Sequence, residues 1–394
     1  MHLPSLIQLI ISALAAFGGL STALVLSLAG LGNLVLDPHS PDKLLPFSLA
    51  WASVVVSLLL IPPAGLALLR LMKRRPTIPW LRAGVRLPSL FLLLTPLLLL
   101  SGSWAARHSL VDWLILPPVQ VLVIGIPLWW LVEFGRRGLS AGSEQRGWGL
   151  FSLSLLAVPV LAILLEVIIV MALIVIGGVW LAATPTLNEA VASAAQQITN
   201  SDMDPAVIEQ VLLPFFRQPL VIAVILGLIA GVVPLVEELI KPIGVWFLAW
   251  HRPTPSEGFV GGLLSGSAFA LVESLSMLST PVGDAWPILA VGRIGTGILH
   301  TTSCAMMGWG LASVWHDRRF GRLALGFGGA VIFHGLWNLL SMLVGLDALL
   351  EFGGLLGNVV AAAPALLVSL AVIMLVILTF ANRRLRRGIQ NAAT

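Results

Sequence analysis

The sequence predicts an all-α fold: a polytopic membrane helical bundle of about ten transmembrane helices with both termini in the cytoplasm. Three observations predict it. Of the 394 residues 58% are apolar and only 10% charged, with a mean hydropathy of +1.00, whereas a soluble domain is about a quarter charged. The apolar residues form many runs of the ~20 residues that a helix needs to cross a bilayer. The basic residues sit in short clusters between those runs, which is an orientation signal. The net charge of +4 therefore does not point to nucleic acid.

Taken in order, the spans fall at approximately 6–34, 46–71, 88–106, 113–134, 149–183, 219–250, 258–280, 287–315, 323–346 and 355–381. The first follows MHLPSLIQLIISALAAFGG, which lacks the basic start of a cleaved signal and reads as a span. The connectors with Arg70, Lys73, Arg74, Arg75, Arg82 and Arg86, with Arg136 to Arg146, with Arg252 and with Arg318 to Arg322 all fall on one side, together with the Arg383 to Arg387 tail. The alternate connectors hold only Lys43, Arg107 and Arg217. That bias places both termini inside. Many of the 14 Trp lie near span ends, where an amphipathic ring suits the interface. Cys304 is the only cysteine, so an internal disulfide is impossible. Between the fifth and sixth spans, apolar residues recur at helical spacing on both sides of Asp204-Pro205. Two short amphipathic helices on the outer surface are expected there.

Ionisable groups are concentrated in one half. Residues 1–150 carry hardly any buried charge, whereas 219–346 carry nearly all of it. The sixth span holds Glu237, Glu238 and Lys241, the seventh Glu273, the eighth Arg293 and His300, and the ninth His334 and Asn338. Each charge in a bilayer costs at least about 2.5–3.5 kcal/mol, so each is a functional candidate. One polar site shared by four helices explains them better than separate defects. Lys241 is i+4 from Glu237 and i+3 from Glu238, within reach of either. Pro234 and Pro242 bracket the motif, and a bent, partly wet section of one long span to Trp250 is expected. The same residues would instead form an ion-pair hinge if the span ended at Ile240. His334 and Asn338 share a face, as do Arg293 and His300. Glycines before Glu273, His300 and His334 permit close helix approach.

Carboxylates and imidazoles at a dry shared site suit activation of water, with Glu237 or Glu238 as base. His334 and Asn338 can hold a developing oxyanion. Alternatively the two histidines and a glutamate bind a divalent metal such as Zn2+. The H-E-x-x-H pattern is absent. Cys304 has no base nearby except His300, one turn earlier.

E-E-x-x-K (Glu237, Glu238, Lys241), F-x-x-x-E (Phe269 to Glu273), a lone His300 in the next span and H-x-x-W-N (His334, Trp337, Asn338) resemble the PrsW family of intramembrane proteases. These are multi-span, metal- or glutamate-dependent peptidases, distantly related to the CAAX-prenyl-protease group. The resemblance covers about 219–346. It implies Glu237, Glu238, Glu273, His300, His334 and Asn338 as catalytic residues and Lys241 as a supporting one, to which the spacing of the charges adds Arg293. It implies Glu273, His300 and His334 as ligands where a metal is used, and a membrane-protein substrate, such as an anti-sigma factor or another single-span protein. Bacterial cytoplasmic membrane is the implied location. The domain reading is then 1–183, a five-helix region of unassigned role; 184–218, an extracytoplasmic connector; 219–346, the catalytic core; and 347–394, the final span and basic tail. A transporter would also place midplane charges on broken helices, but no corresponding broken helix occurs in the other half. A non-catalytic membrane regulator is the remaining alternative. Glu166 reads as a bystander, and Arg293 as a counter-ion of Glu273.

Overall fold

The computed structural model describes residues 2–39, 43–75, 77, 84–280 and 283–393, without the side chains at 181, 185–187, 348, 349, 392 and 393. Arg82, one of the orienting residues, lies outside the described set. All regular structure among the described residues is helical. In chain order the helices are α1 (Leu3–Leu36), α2 (Leu44–Leu71), α3 (Arg86–Leu92), α4 (Thr95–Ala105), α5 (Asp112–Gly135) and α6 (Glu144–Ala182). They continue with α7 (Pro185–Asn200), α8 (Pro205–Phe216), α9 (Pro219–Gly227), a π turn (Leu228–Val232), α10 (Val233–Ile240) and α11 (Ile243–Trp246). The last four are α12 (Pro255–Leu278), α13 (Trp286–Asp317), α14 (Phe320–Leu350) and α15 (Gly354–Ala393).

Among the described residues nine helical stretches are long and apolar enough to cross a membrane, so this is an integral membrane protein. The remaining expected span, the eighth in order, is α13, which has the length at 32 residues. Arg293, His300 and its several Thr and Ser residues dilute its apolar character. The third expected span is α3 followed by α4, and Pro96 stands in the first turn of the second piece, where a proline is tolerated.

Two compact units make up the chain: Met1–Pro159 with Glu238–Phe333 and Ser369–Thr394, and Val160–Glu237 with His334–Val368. The first unit is built around α12. Of the apolar stretch of α12, 89% is buried, against 6% for that of α6, so α12 is a core helix, whereas the most apolar stretch of α6 presents its side chains outward. The start of α12 is specified locally. Thr254 accepts from the Glu257 backbone N–H at 3.3 Å while its own N–H donates to the Glu257 carboxylate at 2.9 Å, with Pro255 next. This reciprocal cap satisfies donors that a helix start leaves open.

Glycines then set how α12 meets α13. A methyl group at Gly258, Gly262 or Gly266 would overlap the carbonyl of Gly308, Cys304 or His300 respectively. The four-residue steps run up one helix and down the other, so the helices are antiparallel neighbours with backbones in contact. Seven residues beyond Gly266 comes Glu273, and seven before His300 comes Arg293. The glycine ladder thus brings the charged groups of both helices to one level. Gly262→Val is expected to lower stability by about 1–3 kcal/mol through overpacking, read as the thermal unfolding midpoint of purified protein in detergent. An unchanged midpoint would contradict the close approach.

The expectation that residues 1–150 hold hardly any buried charge needs correction. Lys43, Asp112 and Glu133 are buried. Lys43 Nζ donates to the Pro38 carbonyl at 2.5 Å and lies 3.6 Å from Asp112, and Glu133 pairs with Arg136. Lys43, Asp112 and Arg136 sit at or just beyond helix ends and outside the expected spans, where a span-by-span count of charge does not see them, and Glu133 lies in the last turn of the fourth expected span. Near the end of α5, Asn382 of α15 donates to the carbonyls of Gly135 and Arg137 at 2.8 and 3.0 Å, satisfying groups a helix end leaves open.

In the second unit the connector folds as α7 and α8. Asp202 and Met203 between them take left-handed φ values of 49° and 63°, and the Asp204 carboxylate caps α8 by accepting from Ala206 N–H at 2.9 Å. The sixth span differs from expectation. Instead of running bent to Trp250, helix ends at Ile240, followed by a turn at Lys241-Pro242, the short α11 and a 3-10 turn at Ala249–His251. Pro242 has no N–H to continue the ladder, and its ring opposes the carbonyl of Glu238. Pro234, by contrast, is accommodated within the helix, preceded by the π turn. Glu237 and Glu238 therefore stand near the end of a span.

Candidate active site

In the first unit five charged or titratable side chains from three segments form one chain of contacts. Lys241 Nζ donates to Glu238 Oε1 at 2.8 Å and lies 2.8 Å from His300 Nδ1. His300 Nε2 lies 2.8 Å from Glu273 Oε2, and Arg293 Nη2 lies 2.6 Å from the same oxygen. An ammonium can only donate, so Nδ1 of His300 accepts from it, and Nε2 carries the proton and donates to Glu273. Both ring nitrogens of His300 are engaged, which leaves neither aimed at the thiol of Cys304. Glu238, Lys241 and His300 are fully buried.

Supporting contacts fix this arrangement. Lys241 Nζ stands 4.8 Å from the centroid of the Phe269 ring, a favourable place for a cation. That ring meets His300 edge-on at 5.2 Å. Arg293 Nε donates to Ser274 Oγ at 3.2 Å. The Glu238–Lys241 pair follows from i,i+3 spacing, and the contacts of Glu273 with Arg293 and His300 follow from the glycine ladder.

In the second unit Glu237 and His334 face each other, Oε2 to Nε2 at 3.9 Å, and both are buried. Consecutive residues point about 100° apart on a helix, so the adjacent glutamates have different partners, His334 for Glu237 and Lys241 for Glu238. Asn338, one turn after His334, does not point its amide into open space. Its Nδ2 donates to the backbone carbonyl of Ile229 at 3.0 Å. Between them Gly335 touches the π turn so closely that a methyl group would overlap the carbonyl of Ala230.

A family model described as PrsW family intramembrane metalloprotease matches residues 168–379, more than half of the chain. The chain belongs to the PrsW family of intramembrane metalloproteases. It is therefore a peptidase, and its substrate is a protein. Neither the curated proteins nor the solved structures contain a match. The PrsW match is wider than the motif-bearing 219–346, taking in the end of α6, the connector helices and much of α15.

Every motif residue of this PrsW chain thus has an observed position. Glu238, Lys241, Glu273, Arg293 and His300 are linked in one unit, and Glu237, His334 and Asn338 lie together in the other. Sequence reasoning missed Ser274 and the Ile229 carbonyl. The second had a legible signal, because Pro234 stands five residues after Ile229 and removes a backbone donor. Glu166 is half-buried within a largely exposed stretch of α6.

The donor chemistry of Glu237 and His334 suits the metal that the PrsW family name implies. A carboxylate oxygen and an imidazole nitrogen are both zinc ligands, with bonds of about 2.0–2.2 Å. On a tetrahedral ion two such donors lie about 3.4 Å apart, and these lie 3.9 Å apart, close enough for a small side-chain adjustment to bring both onto one ion.

Proposed function

We propose that this protein hydrolyses a peptide bond of a membrane-associated protein with water activated by its glutamates and histidines. The single observation that carries the reading is the buried Glu237–His334 pair inside the family-matched segment. Glu237 and His334 would hold a divalent metal, Zn2+ by donor type, and the resemblance of the motifs implies that His300 would be a further ligand. Such a metal acts as a Lewis acid and makes water a nucleophile at neutral pH.

The protein groups do the rest. Glu238, whose charge is compensated by Lys241, takes the proton of the attacking water and returns it to the leaving amine. Glu273 accepts the Nε2–H of His300 and so keeps the lone pair on Nδ1, as carboxylates do for metal-binding imidazoles. Nδ1 becomes available when Lys241 pairs with Glu238 alone. In this reading Glu273 orients a ligand rather than being one, and Arg293 supplies its counter-charge.

The substrate fitting this reading is a single-span protein of the anti-sigma-factor kind, in a bacterial cytoplasmic membrane. Residues 219–346 form the catalytic core, 184–218 lie outside, 1–183 are a five-helix membrane region of unassigned role, and the basic tail of 347–394 lies in the cytoplasm with the N-terminus. Elemental analysis of the protein purified in detergent tests the chemistry. About one tightly held divalent ion per chain is expected, and a chelator should stop cleavage of a single-span substrate panel. Metal-free protein whose cleavage ignores the chelator would overturn it. Comparative membrane proteomics of a deletion strain identifies the substrate.

A further inference from the structure

We infer that Asn338 is a positioning residue. By donating to the Ile229 carbonyl it replaces the hydrogen bond that Pro234 cannot make, holds the π turn, and thereby turns Glu237 towards His334. The inference rests on backbone accounting within the second unit. In an α-helix the Ile229 carbonyl accepts from the N–H of residue 233. Here Val233 N–H donates to Leu228 instead, as the π turn requires. The next donor in π spacing is residue 234, a proline without an N–H. The Ile229 carbonyl thus has no helical donor at either spacing, and a carbonyl within a membrane helix needs one. Asn338 Nδ2 provides it at 3.0 Å. Gly335 is what lets α14 come near enough, since any side chain there would strike the Ala230 carbonyl.

The π turn matters because of phase. It inserts one residue into the helix, and one residue is about 100° of rotation. Relative to the preceding α9, an uninterrupted α-helix would put Val236 about where Glu237 now stands. The π turn therefore decides that a carboxylate, and not a valine, faces His334 at 3.9 Å. Asn338 acts on the reaction through Glu237 and touches no reacting atom, a different role from the oxyanion contact expected of it.

This inference deepens the proposed mechanism and rests on it only for the consequence at Glu237, so its test uses neither metal nor substrate. The first arm is a double-mutant cycle on the unfolding midpoint in detergent with Asn338→Leu, Pro234→Ala and both. Pro234→Ala gives residue 234 an N–H, so Asn338→Leu should cost at most half as much in that background as in the native one. Additive effects would overturn the hydrogen-bond substitution. The second arm reads orientation. In a Cys304→Ala background, Glu237→Cys with His334→Cys should be bridged by a short bifunctional thiol reagent that makes up the side-chain length the two cysteines lack. Adding Asn338→Leu should cut the cross-linked yield at least tenfold, and Asn338→Gln, which keeps a donor, should restore part of it. Undiminished cross-linking in folded Asn338→Leu protein would overturn the positioning role. Should the leucine variant not fold, Asn338→Gln and Asn338→Ser carry the same comparison, a donor-length series whose cross-linking must follow donor reach.

Discussion

Glu237→Gln and His334→Ala should each abolish binding of the proposed metal and with it cleavage, whereas Glu238→Gln should keep metal binding and lose turnover by about 10²–10⁴-fold, the range of a general base. The reason is the divergence of adjacent side chains. Glu237 faces His334 at 3.9 Å, in donor chemistry that suits a metal, while Glu238 faces Lys241 at 2.8 Å, a pairing that keeps its carboxylate ionised, as the proposed base must be. Elemental analysis and kcat/KM on the same three preparations separate the two roles, and the unfolding midpoint shows that each variant is folded. Loss of metal in Glu238→Gln with retention in Glu237→Gln would reverse the assignment. Full activity in all three would sink the mechanism.

The second large effect concerns stability. Lys241→Met is expected to destabilise the protein by about 3–5 kcal/mol, because removing one member of a fully buried ion pair leaves the other charge uncompensated. Both side chains of the Glu238–Lys241 pair are fully buried, so water cannot screen the loss. The methionine keeps most of the lysine stem packed beside Phe269, which leaves charge as the main thing removed. Combining it with Glu238→Gln removes the orphaned charge and should recover most of the loss, since a buried pair replaced by neutral groups is often no worse than the pair itself. Thermal unfolding of the two single variants and the double variant checks this. A double variant as unstable as the sum of the singles would show that the pair is not the source.

Much of this was legible in the chain. Helical class and membrane residence follow from apolar runs, which need no partner to be recognised. The i,i+3 pairing of Lys241 with Glu238 is local geometry. The match of charges on α12 and α13 was half legible: the glycines announced close approach, but the register that brings Glu273 to Arg293 and His300 came from which carbonyls they pack against. The sixth span was misjudged because hydropathy does not register a backbone break. Ile243 to Trp250 are as apolar as a span, yet Pro242 ends the helix before them. The buried Lys43–Asp112 pair was missed because its members are 69 positions apart in the chain and neither sits in mid-span.

The sequence by itself determined the helical membrane class, the set of candidate residues and their order along the chain, because hydrophobic length and side-chain chemistry are properties of the residues alone. Only the tertiary structure decided which glutamate faces which partner, that both nitrogens of His300 are taken by Lys241 and Glu273, and that Asn338 serves a backbone carbonyl. Those outcomes depend on helical phase and interhelical register. A single extra residue in a π turn rotates everything after it by about 100°, and that rotation is settled by a carbonyl, a proline and an asparagine from a distant helix.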